Sequence, residues 1–361
     1  MISSHGNLLR NKKQETSHQA KSFRINDQLL TLIDLIRSVQ SINFCMSKVK
    51  FGVHLPVMGF NTRNSFKDQI LSFAKKSEEL GFDSLSVNDH IVFQTSWLDA
   101  ISTLSAVASS TDRIKLATSV LNIVVRNPII CAKALVAIDI LSSGRLMAGV
   151  GPGSHRGDYE ACSIAFEERW SRFTEALEVL SLLMDGRSST KKRKDYDGQF
   201  YNFKSLSLEP GPFQMPRIPI HIGSWGSEAG LKRVAKYGDG WMASAYNITP
   251  DKFKEKWNIL LAYRKGLGKD TESFENSIMT MFGYIDEDKT VVDRMIGEIL
   301  SPVLGRSPDE LKRMLLFGSA DECLRKINSL VEAGVKRIHF WPISDYLNQI
   351  AIFRQDVTTH V

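Results

Sequence analysis

The sequence has little cysteine, and none of it is placed for a metal or a disulfide framework. Cys45, Cys131, Cys162 and Cys323 are scattered, with no C-x-x-C pair. That spacing fits reduced thiols in a cytoplasmic protein better than a stapled secreted scaffold or a zinc site. The eight histidines include no H-x-x-x-H pair, so no metal centre is expected. No apolar run reaches the roughly 18 to 20 residues of a membrane-spanning helix. The first residues, "MISSHGNLLRNKKQETSHQAKSFR", lack the apolar core and small cleavage-site residues of a secretory signal.

Excess charge is also missing from most of the chain. Residues 1–50 hold eight Lys/Arg against three Asp/Glu, so +5 of the net +6 lies there. The remainder is almost balanced, which argues against a nucleic-acid-binding face on the folded part. Residues 1–47 therefore read as an N-terminal extension, disordered or upstream of the true start. Met46 opens "MSKVKFGVHLP" just before the first strand, and "INDQLLTLIDLIRSVQ" reads as a short amphipathic helix. Residues 48–361 are expected to form one domain. Their composition, 43% hydrophobic and 24% charged over the whole chain, is that of a soluble globular protein.

Strand-like and helix-like segments then alternate. "KVKFGVHLP", "DSLSVND", "RIKLATSVL", "RLMAGVG", "IPIHIG", "DGWMASA", "SIMTMFGYI" and "KRIHFW" read as eight strands, most of them separated by amphipathic helical patterns. "YDGQFYNF" carries an Asp-Gly turn between aromatic residues, a hairpin signal. Residues 246–317 are expected to hold a helical insertion covering the mouth. The expected class is α/β, a (β/α)8 TIM barrel with a hairpin excursion and that insertion. A doubly wound sheet is the alternative.

Active sites of such barrels lie at the carboxyl ends of the strands. There, strand two ends in "SVNDHIVF", which sets Asn88, Asp89 and His90 side by side. Strand three ends at Thr118, Ser119 and Val120. Strand four runs into "GVGPGSHRGDYE", with Gly151, Gly153 and Ser154, and strand five into "HIGSWGSEAGLKR", with Gly223, Ser224, Gly226 and Ser227. Two glycine-containing loops at strand ends suggest close backbone approach to a flat or phosphate-bearing ligand. Gly149–Gly153 does not match G-x-G-x-x-G, so a dinucleotide fingerprint is not supported. Trp225 and Trp241 read as packing or rim aromatics, Met279 and Met281 as core, and "KKRKDYDG" as a solvated loop.

Taken in order, "FGVHLP", "AKKSEELGFDSLSVNDH", "STDRIKLATSVLN", "RNPIICAKALVAIDILSSGRLMAGVGPG", "FEERWSRFTEALEVL", "IPIHIGSWGSEAGLKRVAKYGDGW" and "EAGVKRIHFW" resemble the luciferase-like monooxygenase family, especially its branch using coenzyme F420. The resemblance implies an oxidoreductase that transfers hydride between F420 and a small organic substrate. It implies that Asp89 hydrogen-bonds the cofactor head and that His90 is the acid/base, a task suited to an imidazole. It implies a cis peptide at Ser119–Val120 behind the ring, phosphate binding by Gly223, Ser224, Gly226 and Ser227, further cofactor contacts from Thr118, Gly151, Gly153 and Ser154, and a homodimer. Arg126 and Asn127 are weaker candidates. The alternatives are a monooxygenase using reduced FMN and oxygen, and a barrel that binds a cofactor without catalysis. Relatives that oxidise sugar phosphates carry an acid directly after the fourth-strand Gly-x-Gly, where this chain has Ser154. Relatives that reduce methylene-tetrahydromethanopterin carry a first-strand glutamate, where this chain has His54.

Overall fold

The computed structural model describes residues 49–59, 66–186 and 193–361. The expected N-terminal extension, with its amphipathic stretch, lies outside the described residues. In chain order the strands are β1 Lys50–His54, β2 Ser84–Val87, β3 Lys115–Thr118, β4 Leu121–Asn122, β5 Leu146–Gly151, β6 Lys194–Asp197, β7 Asn202–Leu206, β8 Ile220–Gly223, β9 Gly240–Ser244, β10 Glu275–Ile285, β11 Leu316–Gly318 and β12 Arg337–Pro342. β1 pairs in parallel with β2 on one side and β12 on the other, and β10 bridges β12 and β9. The order β1-β2-β3-β5-β8-β9-β10-β12 thereby closes on itself, all parallel. Closure excludes the doubly wound alternative, which would leave two open edges. All eight expected strands are present, and β6 and β7 form the expected hairpin.

The helices follow the sequence signals. They are α1 Phe66–Glu79, α2 Ala100–Ala108, α3 Pro128–Leu141, α4 Arg156–Ala161, α5 Arg169–Leu183, α6 Glu228–Tyr237, α7 Pro250–Gly266, α8 Lys289–Arg294, α9 Ser301–Leu304, α10 Pro308–Met314, α11 Ala320–Glu332 and α12 Tyr346–Ile352. Asn127 caps α3 through the Ile129 N–H, with Pro128 at the first helical position, where its missing donor costs nothing. Ser319 and Glu322 form a reciprocal capping box on α11.

Two expectations need correction. Residues 246–317 are not one insertion, because α7 and β10 are ordinary barrel elements. The extra material is residues 286–315, carrying α8, α9 and α10, and it reaches the β2–α2 loop where the Gln94 amide donates to the Val303 carbonyl at 2.7 Å. Within "KKRKDYDG", Lys194–Asp197 is strand β6 rather than loop. Its Tyr196 ring stacks on Phe203 at 5.9 Å, which gives that hairpin an apolar face.

The barrel interior departs from the branched aliphatic filling usual in this architecture. Side chains alternate along each strand, so Gly52 and His54, Ser84 and Ser86, Gly149 and Gly151, and His339 and Trp341 all face inward. A methyl group at Gly52 would strike the His339 ring and Ser84 Oγ, and one at Gly149 would strike Met242 of β9, across β8. At the base, the buried Arg337 guanidinium donates to Asp83 at 2.9 Å and Glu275 at 2.7 Å. The aliphatic core instead lies between the barrel and its helices, around residues such as Leu85, Val87, Leu116, Leu135 and Ile338.

Candidate active site

His54, Asn88 and His90 meet where β1 and β2 end. His54 is buried, its Nδ1 lies 2.7 Å from the Leu55 carbonyl, and its Nε2 accepts the Asn88 backbone N–H at 3.1 Å. The ring stacks on Trp341 at 3.5 Å. Burial pushes this imidazole down to about 3, against smaller upward effects of the two hydrogen bonds. With both nitrogens engaged, His54 is a neutral latch between strand ends and supplies no polarity to the mouth.

Asp89 is engaged in the same way. Its carboxylate accepts the Arg126 fork at 2.9 and 2.8 Å and the Asn122 backbone N–H at 3.2 Å, and its side chain is 0% exposed. Arg126 also reaches Asp99 at 2.6 Å. Burial works against the Arg126 charge, but Asp89 and Asp99 outweigh it and raise its pKa. The Asp89 carboxylate thus braces the β3–β4 turn through Arg126 and the Asn122 N–H. Arg126 is a rim ion pair and Asn127 a helix cap. Thr118 is likewise internal, its hydroxyl donating to the Gly149 carbonyl at 2.7 Å.

His90 is held from one side only. Its Nδ1 lies 2.8 Å from Asp158 Oδ2, while Asp158 Oδ1 accepts the Ile91 and Val92 N–H groups at 2.8 and 2.9 Å. Burial alone would raise the Asp158 pKa, but the His90 bond, the two N–H groups and the His90 charge hold the carboxyl below its ordinary value. An ionised carboxylate at Nδ1 fixes the proton there and leaves Nε2 as the exposed nitrogen. The Asp158 side chain is 1% exposed and that of His90 is 17% exposed. Around the imidazole stand Phe93 at 4.5 Å, Trp97 edge-on at 4.6 Å and His155 at 5.7 Å.

At the ends of β3, β5 and β8 the backbone forms a close-packed floor. The peptide Ser119–Val120 is cis. The Val120 side chain lies where methyl groups on Gly151 and Gly223 would sit, at 2.6 and 2.8 Å, so these glycines are needed for the close approach. Ser119, Val120, Gly151 and Gly223 thus come together as expected from the sequence. Gly153 has a positive φ of 70° and lies against Asn122, while Ser154 is exposed. Further along the rim, Ser227 caps α6 by accepting the Gly230 N–H at 3.3 Å, and Ser224 Oγ accepts the Gly226 N–H at 3.2 Å. Trp241 is buried and donates to the Ser224 carbonyl at 3.0 Å, whereas Trp225 is exposed. Met279 and Met281 are buried.

The residues fit a flat heteroaromatic ring with polar edges. Ser86 Oγ, Asn88 Oδ1, Ser119 Oγ and Trp341 Nε1 are buried at these strand ends without a hydrogen-bond partner among the described residues, and buried polar atoms are seldom left so. The uncapped N–H groups of the first turn of α6 suit an anionic tail. Among the described residues no cluster of three or more His, Cys, Asp or Glu could hold a metal, and no helix is long and apolar enough to cross a membrane.

Asp158, Phe93 and Trp97 were not singled out from the sequence. Asp158 lies 68 positions from His90. A local signal did exist, since "HRGDYE" places a carboxylate in the first turn of a helix that leaves the fourth strand's rim.

An F420-dependent glucose-6-phosphate dehydrogenase from Mycolicibacterium gilvum (strain PYR-GCK) is 25% identical over 352 residues, covering 86% of this chain and 98% of its own. The crystal structure of monooxygenase RslO1 from Streptomyces bottropensis superposes with a TM-score of 0.74 at 20% identity, covering 86% of this chain and 99% of its own. An F420-dependent secondary alcohol dehydrogenase in complex with an F420-acetone adduct matches with the same TM-score and identity, covering 86% of this chain and 98% of its own. The family model described as luciferase-like monooxygenase matches residues 49–337. The chain belongs to the luciferase-like monooxygenase family.

Proposed function

We propose that this oxidoreductase transfers hydride between coenzyme F420 and a small organic substrate, with His90 as its acid/base. Bound at the floor, the coenzyme supplies a two-electron hydride donor or acceptor. Its ring edges would meet Ser119 and Asn88, its face the Val120–Gly151–Gly223 floor, and its phosphate the start of α6 around Ser224, Gly226 and Ser227. Asp89 contributes indirectly, by holding the β3–β4 turn through Arg126.

The observation that carries the reading is the 2.8 Å contact between His90 Nδ1 and Asp158. Hydride exchange with an alcohol or carbonyl leaves a proton to be moved on the substrate oxygen. The carboxylate below holds His90 with Nε2 outward, ready to take that proton from a hydroxyl or return it to a carbonyl. A neighbouring carboxylate also stabilises the imidazolium that forms. Support for F420 over FMN comes from the F420-dependent relative described above. Ser154, where sugar-phosphate-oxidising relatives have an acid, speaks against glucose 6-phosphate as the substrate.

The test is a parallel titration of the purified protein with F420 and FMN, followed by fluorescence. Tight F420 binding with negligible FMN binding is expected. A preference for FMN would replace hydride transfer with oxygen chemistry, and binding of neither would leave a barrel without catalysis.

A further inference from the structure

On the outer wall of the barrel, α10 and α11 enclose a cavity of about 650 Å³ against the buried Phe317 of β11. Four basic side chains line it, Lys312 and Arg313 from α10 and Arg325 and Lys326 from α11, against the two acids Asp309 and Glu322. It shares no lining residue with the floor or with the surroundings of His90.

The two lysines are already engaged. Lys312 pairs with Asp293 at 2.6 Å. Lys326 donates to the Lys312, Leu315 and Phe317 carbonyls at 2.7, 2.7 and 3.1 Å, which ties the end of α10 to α11. Its charge meets no carboxylate within ion-pair distance among the described residues, and burial lowers its pKa. Glu322 is engaged too, its carboxylate accepting the Ser319 N–H in the α11 capping box. Arg313 and Arg325 differ. Both are exposed, and neither guanidinium has a carboxylate, carbonyl or ring partner among the described residues. Elsewhere the guanidinium groups of Arg126, Arg145, Arg264 and Arg306 are all engaged.

A guanidinium presents its donors as a planar fork that matches phosphate oxygens two at a time. Here two unengaged forks from neighbouring helices open on one ligand-sized cavity. A single phosphate or carboxylate would fill one fork and leave the other in water. We infer that this cavity binds the diphosphate group of a small molecule, one phosphate on Arg313 and the other on Arg325. The bound anion adds a tie between the 286–315 block, which ends in α10, and the barrel helix α11, beside the tie that Lys326 makes. The coenzyme and His90 take no part in it.

Calorimetric titration of the full chain with inorganic pyrophosphate, orthophosphate and adenosine diphosphate, at constant ionic strength, tests it. Pyrophosphate should bind at least about tenfold more tightly than orthophosphate, and Arg313→Gln and Arg325→Gln should each weaken it by about the same factor. Lys312→Gln removes an ammonium that is already paired and should weaken it less than either arginine substitution. Because an anion held only by the folded chain stabilises it, pyrophosphate should raise the unfolding midpoint of the unaltered chain and not that of the double arginine variant. Without anion, the double variant should keep the midpoint of the unaltered chain, since both arginines are exposed. Tighter binding of adenosine diphosphate than of pyrophosphate would support the site and assign the diphosphate to an organic carrier; the reverse order would support it and assign a free anion. No binding of any of the three in the millimolar range would overturn the inference. So would pyrophosphate binding that survives the double substitution, as binding at the first turn of α6 would, or an equal loss with Lys312→Gln, the mark of a diffuse basic surface.

Discussion

His54 and His90 stand at the ends of adjacent strands, yet they are opposite kinds of histidine. His54 spends both nitrogens on backbone groups and lies under Trp341, and burial pushes its pKa down to about 3. His90 spends one nitrogen on a buried carboxylate and presents the other at the mouth. His221 and His339, deeper in the barrel, belong with His54. Burial lowers His221 to about 4 and His339 well below its ordinary value. The interior histidines are buried neutral rings, whereas His90 lies at the mouth with its side chain 17% exposed. Residue type does not separate the two regions; burial does.

Acid should affect the interior most. A histidine with a depressed folded pKa is protonated only on unfolding, so its stability contribution is complete above pH ~6.5 and is lost as pH falls toward the folded value. Three such rings should give an uptake of about three protons on unfolding near pH ~5, and a fall of about 4 kcal/mol per pH unit. Denaturant unfolding between pH ~7 and ~5 reads this directly. A flat profile would show that these rings are protonated in the folded state.

Arg337→Met should come next, at about 1–3 kcal/mol of stability, because Asp83 and Glu275 lose the buried guanidinium and keep only the longer contacts to Lys115 and Lys50. The folded fraction should keep its cofactor affinity, since this damage is at the opposite end of the barrel from the floor. His90→Ala should do the reverse. Turnover should drop by about 10²–10⁴-fold with cofactor affinity little changed, and the unfolding midpoint should fall only by the loss of one partner of Asp158, which keeps the Ile91 and Val92 N–H groups. If affinity collapses instead, His90 is a binding residue. The smallest effect expected is that of Ser227→Ala, about 1 kcal/mol from the lost α6 cap, together with weaker cofactor binding in the same titration.

The fold was legible because the barrel strands are short apolar runs that alternate with amphipathic helical patterns. The polar interior was less so. "HIGS" and "RIHFW" read as strands whichever way they face, and only closure shows that His221 and His339 point at one another's side of the barrel. At the mouth, His90, Ser119, Val120, Gly151 and Gly223 were recognisable from residue type at strand ends. The clamp on Asp89 was not legible, because a rim carboxylate looks the same in sequence whether free or clamped, and its partner Arg126 is 37 residues away. Asp158 was missed because its partner lies on another strand's loop.

The most direct measurement is a single-turnover experiment that mixes F420-loaded protein with a neutral alcohol and follows the coenzyme's visible absorption, for the unaltered chain and for His90→Ala. The account predicts loss of the oxidised-coenzyme band in the unaltered chain, and a loss slowed by at least about a hundredfold in the variant. Equal rates in the two proteins would contradict His90 as the proton acceptor, and an unchanged band across neutral alcohols, together with no return of the band from carbonyls, would contradict hydride transfer itself.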